Sequence, residues 1–97
     1  MNSDHRKTLQ TIFSTPVPAT LEWRKVEALF VAIGAQPVEG NGSRIAFVLD
    51  IKRIDFQRPH PGKEAKRYQS RAAREFLESA GVNPWANHLR TKLTLPI

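Results

Sequence analysis

Hydrophobic side chains recur every three or four residues in one segment near the middle of the chain. The members of this stripe are Trp23, Val26, Leu29, Phe30 and Ile33. Such spacing predicts an amphipathic helix of about three turns. Thr20 can cap its start, and Gly34 suits its end because glycine readily adopts the left-handed conformation of a helix terminus.

A second helix is predicted from about Lys66 to Ala80, with Gly81 and Pro84 as its stop signals. Its expected inner stripe is Tyr68, Ala72, Ala73, Phe76, Leu77 and Ala80. The spacing of Leu9, Ile12 and Phe13 predicts a further short helix at the N-terminus, which the following prolines end.

Between the two main helices the pattern changes to alternation. "AQPVE" predicts a short extended piece, and its proline favours an edge strand. "GNG" predicts a turn, and "SRIAFVLD" and "RIDFQR" each alternate apolar with polar or smaller side chains. Three successive antiparallel strands would form a meander with one strongly apolar face.

Only the helices can cover that apolar face, so the fold class predicted is α+β, a two-layer arrangement of helix, three-stranded meander and helix with an extra N-terminal helix. The expected divisions are an N-terminal helical arm over 1–19, appended to a domain over 20–82, and a C-terminal tail over 83–97. The tail carries some apolar residues. It either packs back on the domain or awaits a partner.

Composition narrows the classes of function. The 97 residues suffice for one small domain, and the absence of cysteine excludes disulfides, thiolate catalysis and cysteine-based zinc sites. No apolar run is long enough for a membrane span, and the polar N-terminus has no signal-peptide core, so we expect a cytoplasmic protein. The net charge of +6 suits either nucleic acid or an acidic protein partner.

Candidate chemistry concentrates in the loop "RPHPGKE". Arg58, His60, Lys63 and Lys66 place cations and a titratable imidazole on a backbone opened by Gly62, which suits phosphate contacts and proton transfer. The alternative is a plain charged surface turn. The three histidines are scattered without ligand spacing, and "GNG" lacks the rest of a nucleotide fingerprint, so we predict no metal site and no cofactor.

The stretches "AIGAQPVEGNGSRIAFVL", "FQRPHPGKE" and "FLESAGV" together resemble the HicA family of toxins from type II toxin–antitoxin pairs. The resemblance covers roughly residues 21 to 82. It implies a double-stranded-RNA-binding-like fold and a ribonuclease that cleaves messenger RNA and is silenced by a HicB antitoxin. The family motif has a histidine directly after "G-S", thought essential for cleavage, and Arg44 occupies that position here.

Arginine cannot serve as a general base near neutral pH, although it can hold a phosphate bidentately. We therefore predict Arg44 and His60 as the catalytic residues, with His60 handling protons and Arg44 stabilising charge on the phosphate. The predicted RNA-binding residues are Ser43, Arg44, Arg58, His60, Lys63 and Lys66.

Three functions stay open at this point. The first is a HicA-like toxin that cleaves messenger RNA without metal and binds a HicB-like antitoxin. The second is a HicA-like protein that binds RNA or its antitoxin but no longer cleaves. The third is a basic module that binds another protein.

Overall fold

A computed structural model describes residues 1–60 and 62–85, and these residues form three helices and three strands. In chain order they are α1 (Ser3–Ile12), α2 (Trp23–Ala32), β1 (Gln36–Glu39), β2 (Arg44–Leu49), β3 (Lys52–Gln57) and α3 (Arg67–Ser79). This order confirms the predicted α+β class and the arrangement of a double-stranded-RNA-binding-like fold. No helix in the described ranges is both long and apolar enough to cross a bilayer.

The sheet is antiparallel throughout, with β2 in the middle. Pro37 lies in the edge strand β1, where its missing N–H costs no interstrand hydrogen bond if it faces outward. Asp50 adopts a left-handed φ of 56° in the tight turn between β2 and β3, a conformation that Asp tolerates better than most residues. The predicted meander is therefore confirmed.

The core lies between the sheet and the helices and is built around Phe30 of α2. Its ring centroid is 4.9 Å from that of Phe47, 5.6 Å from that of Phe76 and 6.0 Å from that of Phe56. These rings come from α2, β2, β3 and α3, so one aromatic cluster packs the helices against the sheet. Aromatic pairs at such separations add to the stabilisation from burial alone.

Helix α1 packs on α2 and α3 and forms part of the same core. Leu9 and Ile12 lie one turn apart on α1 and are fully buried. The sequence predicts the N-terminal segment as an appendage, because Pro16 and Pro18 break the helix before the domain begins. The structure instead buries its apolar stripe, which removes this apolar surface from water. From the predicted tail, Trp85 makes an edge-to-face contact with Phe13 at 5.4 Å, and the later tail residues lie outside the described ranges.

Helix α2 begins at Trp23, not at Thr20 as its capping potential suggested. Glu22 is held extended in an antiparallel bridge with Glu64, in which the Leu21 carbonyl accepts a hydrogen bond from the Ala65 N–H and the Trp23 N–H donates to the Lys63 carbonyl. A tertiary contact thus overrides the local capping signal.

The inner stripe predicted for α3 was wrong at Tyr68, which is 58% exposed. Gln69 and Ser70 are buried instead. The Gln69 side-chain amide accepts a hydrogen bond from the Lys66 N–H and donates one to the Gln57 carbonyl. Because these two hydrogen bonds satisfy its amide, Gln69 can be buried on the inner side of α3, where only apolar residues are predicted.

Candidate functional site

The two loops that the sequence singled out lie side by side at one end of the β2–β3 pair. Arg44 at the start of β2 pairs with Gln57 at the end of β3. Just beyond this pair, the Arg58 N–H donates a 2.8 Å hydrogen bond to the Ser43 carbonyl. Two of the predicted RNA-binding residues, Ser43 and Arg58, are therefore joined through their backbones, and Arg44 lies next to them.

The turn before β2 fixes the backbone of Arg44. The Gly40 N–H donates to the Arg44 carbonyl at 3.0 Å, and the Arg44 N–H donates to the Asn41 carbonyl at 3.1 Å. Gly42 adopts a φ of 62°, which favours glycine. A Cβ added to Gly40 would lie 3.1 Å from the Arg44 Cβ, so the turn also approaches this side chain closely.

Arg44 is exposed on the face of the sheet opposite the one on which the described helices pack. It alternates with the buried core residue Ile45 and shares its side of β2 with Ala46 and Val48. It lines a shallow concavity of about 500 Å³ together with Arg53, Asp55 and Gln57 of β3. Within the described ranges, Arg44 takes part in no ion pair, so its guanidinium keeps its donors for a bound anion.

The other charges of this face are paired with each other. The Arg53 Nε donates a 2.8 Å hydrogen bond to Asp55 Oδ1. This bond lowers the pKa of Asp55, to which the charge of Arg44 adds a smaller effect, and it raises the pKa of Arg53. The pair is exposed and so contributes little to stability. The Glu39 carboxylate, which also lines the concavity, is bound to Arg58, so among the described residues Arg44 is the lining cation that makes no ion pair.

The loop that carries His60 is held at its far end by two backbone hydrogen bonds. The Trp23 N–H donates to the Lys63 carbonyl at 2.8 Å, and the Ala65 N–H donates to the Leu21 carbonyl at 2.7 Å. His60 is exposed and lines a depression of about 430 Å³, together with Glu64, Lys66 and Arg67. The charged groups around this volume are therefore two cations and one carboxylate, beside the imidazole.

The predicted catalytic residues are near each other but do not share a single depression. Arg44 belongs to the open sheet face, His60 belongs to the depression beside α3, and Lys63 lines a third, neighbouring one with Arg58. From the Arg44–Gln57 pairing and the three residues onward to His60, their Cα atoms are at most about 17 Å apart. An extended polyanion that crosses this end of the sheet could contact all of them.

Arg58 makes contacts that sequence reasoning missed. Its Nε donates to Glu27 Oε2 at 2.7 Å, and its Nη1 and Nη2 donate to the Glu39 carboxylate at 2.9 and 2.8 Å. These bonds raise the pKa of Arg58 and lower that of Glu39. Because both carboxylates occupy its donors, Arg58 has less capacity for a phosphate than Arg44. A direct RNA contact by Arg58 stays a prediction.

Histidines do not assemble a metal site in the described part of the chain. His5 lies in α1 and His60 in the loop before α3, while His88 is outside the described ranges. Across residues 1–60 and 62–85, no three histidine or acidic side chains gather closely enough to hold a metal ion.

Comparison with known proteins assigns the chain to a family. The family described as the HicA toxin of bacterial toxin–antitoxin systems matches residues 23–82. The match covers well over half of the chain and spans α2 to α3, including both loops. No curated protein and no solved structure gives a significant match.

Proposed function

The chain belongs to the HicA family of toxins from bacterial toxin–antitoxin systems, and from this premise we propose that it binds and cleaves messenger RNA in the cytoplasm without a metal ion and so blocks translation. The observation that carries the proposal is the position of His60. It is an exposed imidazole on a loop that is hydrogen-bonded at both ends, beside Lys66 and at the same end of the β2–β3 pair as Arg44.

In the proposed reaction, neutral His60 removes the proton from a ribose 2′-hydroxyl. The 2′-oxygen then attacks the adjacent phosphorus, and the bond from phosphorus to the 5′-oxygen of the next nucleotide breaks. The leaving oxygen takes a proton from the imidazolium or from water, which leaves a 2′,3′-cyclic phosphate and a 5′-hydroxyl. Histidine suits this work because its ordinary pKa lies near neutral pH.

In this mechanism Arg44 and the loop lysines bind the negatively charged phosphates, and they transfer no proton. The guanidinium of Arg44 can donate two parallel hydrogen bonds to a phosphate of the bound strand. Because Arg44 and His60 line separate depressions, Arg44 stabilises the charge that grows on the attacked phosphate only if the two side chains converge when RNA binds. Lys63 and Lys66 hold the flanking backbone as point charges. Their ammonium groups are exposed, so strand binding should weaken steeply with salt.

A second candidate is favoured by one specific observation. Arg44 occupies the position at which the family keeps a histidine, and arginine cannot exchange a proton at neutral pH. A protein that kept the cationic loops but lost cleavage would bind RNA without breaking it. This candidate predicts salt-sensitive binding and intact RNA.

For the protein partner we propose a HicB-like antitoxin with an acidic contact surface. The same cations that attract RNA would attract that surface, so the antitoxin would silence the toxin by covering the β2–β3 end of the sheet. Electrostatic attraction of this kind mainly accelerates association.

The test is to incubate the purified chain with a messenger RNA in the presence of a chelator. Fragments that end in cyclic phosphate, and that accumulate in proportion to protein, are expected. Intact RNA with salt-sensitive binding would favour the non-cleaving candidate. Absence of both cleavage and binding at low salt would contradict both.

A further inference from the structure

We propose that Glu27 of α2 is a positioning residue that fixes both ends of the loop between β3 and α3. The inference rests on the proposed function, since it assigns a role in orienting the loop that carries His60. Glu27 is not proposed to contact RNA or His60. Its role follows from the hydrogen bonds that its carboxylate accepts from Trp23 and Arg58.

The first end of the loop begins at Arg58. The Arg58 Nε donates a 2.7 Å hydrogen bond to Glu27 Oε2, and the Arg58 Nη2 approaches Glu27 Oε1 at 3.4 Å. The backbone N–H of the same arginine is bound to the Ser43 carbonyl. Glu27 therefore anchors the side chain of the one residue that leads from β3 into the loop.

The second end of the loop depends on Trp23, one turn before Glu27 on α2. The indole Nε1–H of Trp23 donates to the same oxygen, Glu27 Oε2. The backbone N–H of Trp23 donates to the Lys63 carbonyl. One carboxylate oxygen thus joins the residue that starts the loop to the residue that receives its far end.

The burial of this network distinguishes it from surface ion pairs. The side chain of Glu27 is 23% exposed and that of Arg58 is 31% exposed, so neither group can compensate fully with water if its partner is removed. Glu39, which also binds Arg58, is 66% exposed and touches nothing else in the network. Of the two carboxylates, Glu27 is the one placed to control the loop.

The inference also assigns Arg58 a role distinct from that of Arg44. The guanidinium of Arg58 donates its hydrogen bonds to Glu27 and Glu39, whereas Arg44 forms no ion pair with a carboxylate in the described ranges. Loss of Arg58 should thus disturb the position of His60, and loss of Arg44 should remove a phosphate contact.

The experiment compares Glu27→Gln with Glu75→Gln, a matched substitution on the exposed side of α3. The first readout is amide hydrogen exchange at Trp23 and Ala65, whose N–H groups hold the far end of the loop. Exchange there should rise about tenfold in Glu27→Gln, as expected for loss of a hydrogen bond to a charged group. Exchange at Phe47 in the core should match that of Glu75→Gln.

The second readout separates positioning from RNA affinity. In single-turnover assays, Glu27→Gln should slow cleavage by about 10- to 100-fold, since small displacements of a catalytic group have effects of this size. Its affinity for RNA and the salt dependence of binding should stay at the wild-type values. A loss confined to affinity would contradict the inference.

A third variant covers the case in which Glu27→Gln does not fold. Trp23→Phe keeps an aromatic ring against Phe56 and removes the indole donor, together with the volume of the five-membered ring. It should raise exchange at Ala65 and leave the amide of Arg58 protected. Unchanged exchange at Ala65 in both variants would overturn the inference. If exchange rises as expected but the wild-type chain cleaves no RNA, the proposed function fails while the role of Glu27 in ordering the loop stands.

Discussion

Replacing Leu9 by alanine tests whether the N-terminal helix is an integral part of the domain. Leu9 lies outside the family match, yet it is 1% exposed and belongs to the main core cluster. Truncation of a fully buried leucine removes its transfer free energy and leaves a cavity, at a cost of about 2–5 kcal/mol. In a domain of this size, each kcal/mol lowers Tm by roughly 4–8 °C. The expected fall in Tm is therefore at least about 8 °C.

The assay is urea unfolding followed by circular dichroism, supported by thermal melts. The control is Gln10→Ala, which alters the next residue of α1 at an exposed position and should change the free energy of unfolding by no more than about 0.5 kcal/mol. If Leu9→Ala is as stable as this control, α1 does not contribute to the core and the packing described here is wrong.

Three further predictions concern the site and its supports. Gly42→Ala should cost about 1–2 kcal/mol in urea unfolding, because its φ of 62° disfavours a side chain, whereas Gly62→Ala should be near neutral. Asp55→Asn should make the protein lose less stability when the pH is lowered. The pKa of Asp55 in the folded state lies below its ordinary value of 3.8, so the ionised carboxylate stabilises the fold above that value. This stabilisation is lost as the pH falls through the lowered pKa of the folded state. Arg44→Met should reduce the salt slope of RNA binding by about 0.7, while Arg53→Met, which removes a paired cation, should leave it nearly unchanged.

Much of the fold could be predicted because its local signals agree with one another. The stripe through Phe30 and the alternation through Phe47 fix which surfaces must meet, and glycines punctuate the elements between them. The site loops were also identifiable, since their composition of glycine, proline and cations differs from that of the core segments.

The rest depends on contacts between residues far apart in the chain. Glu27 and Arg58 are 31 positions apart, so no periodicity indicates that they meet. Gln69, and not Tyr68, lies on the inner side of α3, where its amide donates a hydrogen bond to the Gln57 carbonyl. These are tertiary hydrogen bonds, and a helical or strand period carries no information about them.

In the proposed function, His60 carries the proton in RNA cleavage, and Arg44 occupies the position of the family histidine. The most direct measurement is single-turnover cleavage in chelator by wild type, His60→Ala and Arg44→His. Wild type should cleave, His60→Ala should lose about 100- to 10,000-fold in rate, as for removal of a general acid–base group, and Arg44→His should cleave faster than wild type. Cleavage by His60→Ala at close to the wild-type rate would show that His60 is not the proton carrier.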